Sequence, residues 1–281
     1  MPQPETGYAD CADVQLFYRL FRGPAGRAPL IIFHGANYYD SNDWIEVAGA
    51  LAHDRDVLTW DARGFGASGW SPGKDYSYDA YLGDARRLMD RFGWQRAVIM
   101  GHSIGGSYAL LFGARIAERT AAVVLVDHCP QGPGGKGQQA STGNKAKVYP
   151  DVDSALKDSS RAPAAPGSAA WQNFESRLIA VSGGVVTKRD PDFSNRVPAK
   201  KDWASAYPVS DMWQDLANLK TPALIVRGRT SDRFTSEALA RLEQAYPHVA
   251  IAVVDSGHDV AGAASNALVE AVRRFLDTTK I

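Results

Sequence analysis

Val98-Ile99-Met100-Gly101-His102-Ser103-Ile104-Gly105-Gly106 decides how the rest of the chain is read. Three apolar residues run into Gly-His-Ser-Ile-Gly, and the helix-forming segment Tyr108–Ala114 follows at once. This is the G-x-S-x-G spacing, in which a strand turns sharply into a helix with serine at the apex. A Cβ at Gly101 or Gly105 would crowd the strand or the helix, so glycine belongs at both places. Ser103 is then expected in a strained backbone conformation with its hydroxyl above the sheet. The first N–H groups of the following helix point at charge developing on a substrate oxygen. The bland alternative is an ordinary strand-to-helix turn that happens to carry a serine.

Strands and helices alternate outward from that stretch. Pro29–Phe33, Asp56–Trp60, Ala122–Val126, Pro222–Val226 and Ala250–Val254 are short continuous apolar runs, as expected of strands buried on both faces. Asp13–Arg22 alternates and reads as an edge hairpin strand. Ser41–Ala52, Ser77–Phe92, Ser236–Ala245 and Ala263–Thr278 carry apolar residues at helical spacing. Such alternation predicts an α/β fold, a mostly parallel sheet with helices on both faces. Ligands in these sheets bind beyond the C-terminal strand ends. His34, Asp61, Ser103, Asp127, Asp232 and His258 all fall there.

The rhythm breaks between residues 134 and 209. Turn-rich sequence, a short helix near Asp151–Asp158 and a helical face over Ala169–Val181 fill it, with no strand of the earlier type. A mostly helical cap over 134–209 is therefore expected, inserted into a core of residues 1–133 and 210–281. It would cover the strand ends, exclude water and line a pocket. Trp171, Phe174, Trp203, Tyr207 and Trp213 are its candidate lining residues, although aromatics at helical spacing more often belong to a core.

Composition narrows the function. The chain has 281 residues, is 45% apolar and carries no formal net charge. Neither nucleic acid nor a membrane surface is the expected partner. The first residues show neither a basic head nor an apolar run, and the two cysteines, Cys11 and Cys129, suit free thiols in a reducing compartment; a cytoplasmic location is expected. The Gly-rich loop Asp61–Gly69 lacks the full G-x-G-x-x-G arrangement and any P-loop lysine, so a nucleotide cofactor is not expected. No metal-ligand spacing is present.

With Ser103, an acid and His258 in that chain order, the sequence resembles an α/β-hydrolase with a helical cap. The resemblance rests on His34-Gly35, Asp61–Gly69, Gly101–Gly105, Asp232 and Gly257-His258. It implies an eight-stranded, mostly parallel sheet, with Ser103 as nucleophile, His258 as general base and acid, and Asp232 as the acid orienting the histidine. Asp127 is the rival acid, because it also closes a strand. The N–H groups of Ala36 and Ile104 would form the oxyanion hole. Asn37, Tyr38 and His128 join the aromatic residues as candidate substrate contacts, and an arginine among Arg227, Arg229 and Arg233 could meet a substrate carboxylate. The sequence departs from the family where Asp259-Val-Ala follows the histidine and where Asn37-Tyr38-Tyr39 replaces a Gly- or Pro-containing loop.

The expected activity is hydrolysis of a small, partly apolar ester or lactone through an acyl-enzyme, with no cofactor and no metal, by a monomer or homodimer. Carbon–carbon bond hydrolysis of a ring-cleavage diketo acid is the alternative with the same residues. A cofactor-independent oxygenase and a non-catalytic small-molecule receptor are alternatives of other classes.

Overall fold

The strands β3 (Leu30–Phe33), β4 (Val57–Trp60), β5 (Ala97–His102) and β6 (Thr120–Val126) are buried at every position. Side chains alternate across a sheet, so runs like these must be covered on both sides. In the computed structural model, which describes residues 3–36, 40–130, 147–159, 163–190, 192 and 211–281, helices supply that cover. Phe33, Ile99, Leu125 and Ile225 face one apolar layer with α2 (Tyr78–Arg91) and α3 (Ile104–Arg115). Ile32, Met100, Val124 and Val226 face the other, with α1 (Ile45–Leu51) and the closing helix over Ser265–Thr278.

The main sheet has eight strands in the order β1-β2-β4-β3-β5-β6-β9-β10, where β1 is Glu5–Cys11, β2 Val14–Phe21, β9 Ala223–Gly228 and β10 Val249–Val254. The first two strands run antiparallel, and every neighbour from β4 to β10 is parallel. The edge strands are β1, for which the sequence pattern gives no expectation, and β10. The strand expected at the edge, β2, lies one place in, between β1 and β4. From β3 the chain passes to β4 on one side, then through α2 to β5 on the other. Such a reversal opens a crevice at the C-terminal strand ends. The loop after β3 and the turn after β5 flank it.

Between β6 and β9 the described residues form an insert outside the main sheet: α4 (Val152–Asp158), α5 (Ala169–Glu175), and the antiparallel pair β7 (Leu178–Val181) and β8 (Gly184–Thr187). The helix expected over 169–181 ends at Glu175, and a strand hairpin stands where none was expected. The cause is local. Ile179 to Val181 leads into Ser182-Gly183-Gly184, and Gly183 and Gly184 take φ of 88° and 146°, which permits a two-residue reversal. Tyr149, Ala155, Leu156, Phe174 and Leu178 form the insert's own small core.

Two buried polar clasps tie this insert to the loops after β3 and β4. Arg177 pairs with Asp40 at 3.3 Å and Asp43 at 2.7 Å. Asp190 accepts hydrogen bonds from the Tyr76 hydroxyl and from Lys74 at 3.1 Å, and its N–H donates to the Gly64 carbonyl at 2.8 Å. The expected limits of the insert, near 133 and 210, lie outside the described residues.

Candidate active site

Ser103 caps α3 at φ 54° and ψ −120°, a conformation an L-residue adopts only when its surroundings impose it. Here the surroundings are backbone. A Cβ on Gly101 would lie 2.0 Å from the Gly105 carbonyl oxygen, and one on Gly105 would lie 2.4 Å from that of Phe33. Strand and helix thus meet at contact distance, and the residue between them is thrust outward. Ser103 N–H donates to the Val126 carbonyl at 3.1 Å, which ties the turn to the neighbouring strand.

In register, His102 pairs with Val126 and Val126 with Val226, so Ser103 and Asp127 leave the sheet side by side. His258, on the loop after β10, completes the line. Its Nε2 lies 3.1 Å from Ser103 Oγ, and its Nδ1 lies 2.6 Å from Asp127 Oδ2. Because a carboxylate only accepts, Nδ1 carries the proton and Nε2 is left to accept from the serine hydroxyl.

The acid beside the histidine is therefore Asp127, and the expectation of Asp232 is corrected. Asp127 is fully buried, and it also receives the Gly228 N–H at 2.9 Å and the Ser231 hydroxyl at 2.5 Å. Asp232 is 80% exposed and pairs with Arg233 at 3.2 Å. The loop after β9 turns tightly, with Ser231 N–H on the Gly228 carbonyl at 3.2 Å, and this turn directs Ser231 inward and Asp232 to solvent.

Two further histidines pack around this line. His102 lies beneath the serine with its ring 4.7 Å from that of His258. Its Nε2–H donates to the His258 carbonyl at 2.8 Å. Burial, helped by the neighbouring His258, pushes its pKa down to about 3. His128 follows Asp127 and packs under the first turn of α3, where a Cβ on Gly106 would lie 2.3 Å from its own Cβ. Burial lowers its pKa to about 4. Only 6% exposed, His128 has little surface for a substrate and serves the packing beneath α3.

The loop after β3 is fixed by His34. Nδ1–H donates to the Gly35 carbonyl at 2.6 Å, and Nε2 accepts from Ala62 N–H at 2.9 Å. A Cβ on Gly35 would stand 3.5 Å from Ser103 Cβ, so the loop carrying half-buried Ala36 lies against the serine. Ile104 is the first residue of α3, where N–H groups have no partner within the helix.

The aromatic candidates among the described residues, Trp171, Phe174 and Trp213, fall elsewhere. Phe174, 1% exposed, is core of the insert; Trp171 packs against it and donates from Nε1 to Asp153 at 2.6 Å. Trp213 is buried in the main core, 5.5 Å from the Tyr246 ring and under the Arg241 guanidinium. Their helical spacing marks burial against their own helices' neighbours. Asn37, Tyr38, Trp203 and Tyr207 lie outside the described residues. Of the three arginines, Arg227 stacks over Phe234 and Arg229 pairs with Asp255 at 2.5 Å. Cys11 and Cys129 are both buried, and neither is in a disulfide. Among the described residues no group of three or more His, Cys, Asp or Glu is placed to hold a metal ion, and no helix is long and apolar enough to cross a membrane.

Known proteins carry the same framework. An alpha/beta hydrolase from Novosphingobium aromaticivorans superposes with a TM-score of 0.76 at 26% identity, over 99% of each chain. The sn-1-specific diacylglycerol lipase ABHD11 of Mus musculus is 33% identical over 126 residues, 44% of this chain and 40% of that protein. The match thus spans less than half of that relative's length. Esterase YbfF of Escherichia coli (strain K12) is 24% identical over 260 residues, 89% of this chain and 93% of that protein. A model of the alpha/beta hydrolase fold family matches residues 28–261, most of the sheet with Ser103, Asp127 and His258. The chain belongs to the alpha/beta hydrolase fold family.

Proposed function

We propose that this protein is a serine hydrolase that cleaves a small, partly apolar carboxylic ester or lactone through an acyl-enzyme. The carrying observation is the unbroken line from Ser103 Oγ through the His258 imidazole to buried Asp127, at 3.1 Å and 2.6 Å, with the serine raised on a strained turn. A serine hydroxyl is a weak nucleophile at neutral pH and needs such a base at hydrogen-bond distance.

In this reading Ser103 Oγ attacks the ester carbonyl carbon while its proton passes to His258 Nε2. The carbonyl π electrons move to oxygen, and the N–H groups of Ala36 and Ile104 receive that oxyanion. A donor of this kind contributes roughly 3–4 kcal/mol in the transition state. The tetrahedral intermediate collapses as the carbon–oxygen bond to the leaving group breaks, and the imidazolium returns its proton to the departing alkoxide. Water then adds to the acyl-enzyme with His258 as base, the Ser103–acyl bond breaks, and the serine recovers a proton. Asp127 holds Nδ1–H throughout and stabilises the imidazolium. A lactone follows the same steps, with the leaving oxygen tethered to the acyl group. We read the insert as a cap that shelters this chemistry from water. The names of the esterase and lipase relatives favour an ester bond as the one cleaved.

The test is a screen of aryl esters, lactones and diketo acids with wild type and Ser103→Ala. The variant should lose at least about 10³-fold in kcat and fail to label with a fluorophosphonate. A variant that hydrolyses its preferred substrate as fast as wild type overturns the reading. Preference for diketo acids over esters would replace ester cleavage with carbon–carbon cleavage on the same residues.

A further inference from the structure

Asp127 receives more than the histidine. Its Oδ1 accepts the Gly228 N–H, while Oδ2 accepts both His258 Nδ1–H at 2.6 Å and the Ser231 hydroxyl at 2.5 Å. The direction of the last bond is fixed on both sides. A carboxylate donates nothing, and Ser231 Oγ already accepts the Arg233 N–H at 3.2 Å, so the hydroxyl hydrogen points at Asp127.

The loop that carries Ser231 also grips the histidine's loop. Thr230 N–H and Thr230 Oγ1–H both donate to the Ser256 carbonyl at 3.1 Å, two residues before His258. Acid and base come from different strands, β6 and β10, and the loop after β9 binds to both. We propose that Ser231 is a positioning residue for Asp127, its hydroxyl competing with His258 for the charge on Oδ2 and so setting how strongly the acid stabilises the imidazolium. The proposal rests on the reading of Ser103, His258 and Asp127 as a hydrolytic triad.

Its consequence has a sign. Each donor on a carboxylate oxygen withdraws charge from it. Without the Ser231 hydroxyl, more of the charge on Oδ2 faces Nδ1–H, the imidazolium is held more firmly, and the base stays protonated to higher pH. The acidic limb of kcat/KM, which reports the essential base of the free enzyme, then moves up. The charged and titratable neighbours among the described residues do not imitate this shift. His102 and His128 are held neutral down to about pH 3 and 4. Arg233 pairs with Asp232 at 3.2 Å. Asp255 faces Arg229, and Asp259 caps the short helix after His258.

The experiment compares pH profiles of wild type, Ser231→Ala, Ser231→Cys and Ser231→Thr on one aryl ester. A ring-proton titration of His258 by NMR runs beside it in a Ser103→Ala background, where no turnover is needed. Loss of the hydroxyl in Ser231→Ala should raise the acidic limb by about 0.5–1 pH unit and so lower kcat/KM on that limb by about 3- to 10-fold. Ser231→Cys, with a weak donor of similar size, should follow Ser231→Ala, and Ser231→Thr should restore the wild-type limb. An unmoved limb and an unmoved NMR titration in Ser231→Ala overturn the proposal, whatever happens to the rate or to Tm. That failure is distinct from failure of the triad itself, which would show as full activity in Ser103→Ala.

Discussion

A carboxylate that orients a histidine must be buried beside it and supplied with enough hydrogen-bond donors to offset that burial. Asp127 meets both conditions with three donors and no exposed surface, and Asp232 meets neither. Asp127→Asn should therefore lower kcat by about 10³- to 10⁴-fold, because an amide no longer fixes the histidine tautomer. Asp232→Asn should stay within about twofold, as exposed ion pairs contribute little. Steady-state kinetics on both variants decides, and the reverse order would return the role to Asp232. Both aspartates close parallel strands in the sequence, so either could be the acid on pattern alone. What separates them is a tight turn at Gly228 to Ser231 and the left-handed φ of 45° at Asp127, and neither has a signature in residue types. Ser103 and His258 were legible because glycine spacing and chain order speak for them. His128 illustrates a second kind of residue-scale effect. Its ordinary value of 6.5 falls to about 4 on burial, so between those values the unfolded chain binds a proton that the folded protein refuses. Stability is therefore lost as pH falls through that window, by roughly 3 kcal/mol from this residue. His128→Phe removes the term. Its stability relative to wild type should climb by that amount between pH 6.5 and pH 4 in urea unfolding. Asp84, whose carboxyl burial raises to about 6, acts with the opposite sign in both proteins and cancels in the difference. A flat difference would show that His128 is free to protonate in the fold.

At the scale of elements, the turn from β5 into α3 is where local rules and global packing agree most closely. Gly101 faces the Gly105 carbonyl oxygen at a distance no Cβ can share, and Gly106 N is 2.8 Å from the same point. Both obstacles are backbone, so Gly101→Ala can be accommodated only by moving strand against helix. A loss of about 1–3 kcal/mol or more in chemical unfolding is expected, together with loss of activity as Ser103 shifts. Wild-type stability in that variant would mean that the close approach is not obligatory. The insert shows the opposite case. Trp171, Phe174 and Leu178 share a helical spacing, which drew the predicted helix across 169–181. Yet the chain changes conformation at Glu175, and Leu178 reaches the same small core from a strand. Periodicity reports which residues share a buried side and not which backbone brings them there. The Ile-Ala-Val run before Ser-Gly-Gly was the available signal for a hairpin.

Over the whole molecule, the parallel character of the sheet and its cover on both faces could be read from alternating apolar runs, whereas its strand order and the docking of the insert could not. Its clasps join residues more than a hundred positions apart, Asp190 to Tyr76 and Arg177 to Asp40 and Asp43. All of these except Tyr76 are charged side chains that in isolation read as solvent-facing. Burial changes their meaning. Arg177→Met leaves the Asp40 and Asp43 carboxylates buried without their cation, a situation that costs about 3–5 kcal/mol. Asp190→Asn weakens the second clasp, on the loop after β4. If the insert docks as one rigid unit, breaking either clasp partly releases the other, and the losses in the double variant add to less than their sum. A double-mutant cycle in urea should then return a coupling above about 0.5 kcal/mol between the two clasps. Proteolysis of either single variant should begin within 147–190, ahead of the main sheet. Strict additivity would mean that the clasps act independently on the loops after β3 and β4. The insert would then be tethered at two points without transmitting strain between them, and Arg177 would steady only the Asp40–Asp43 turn that follows the His34–Ala36 loop.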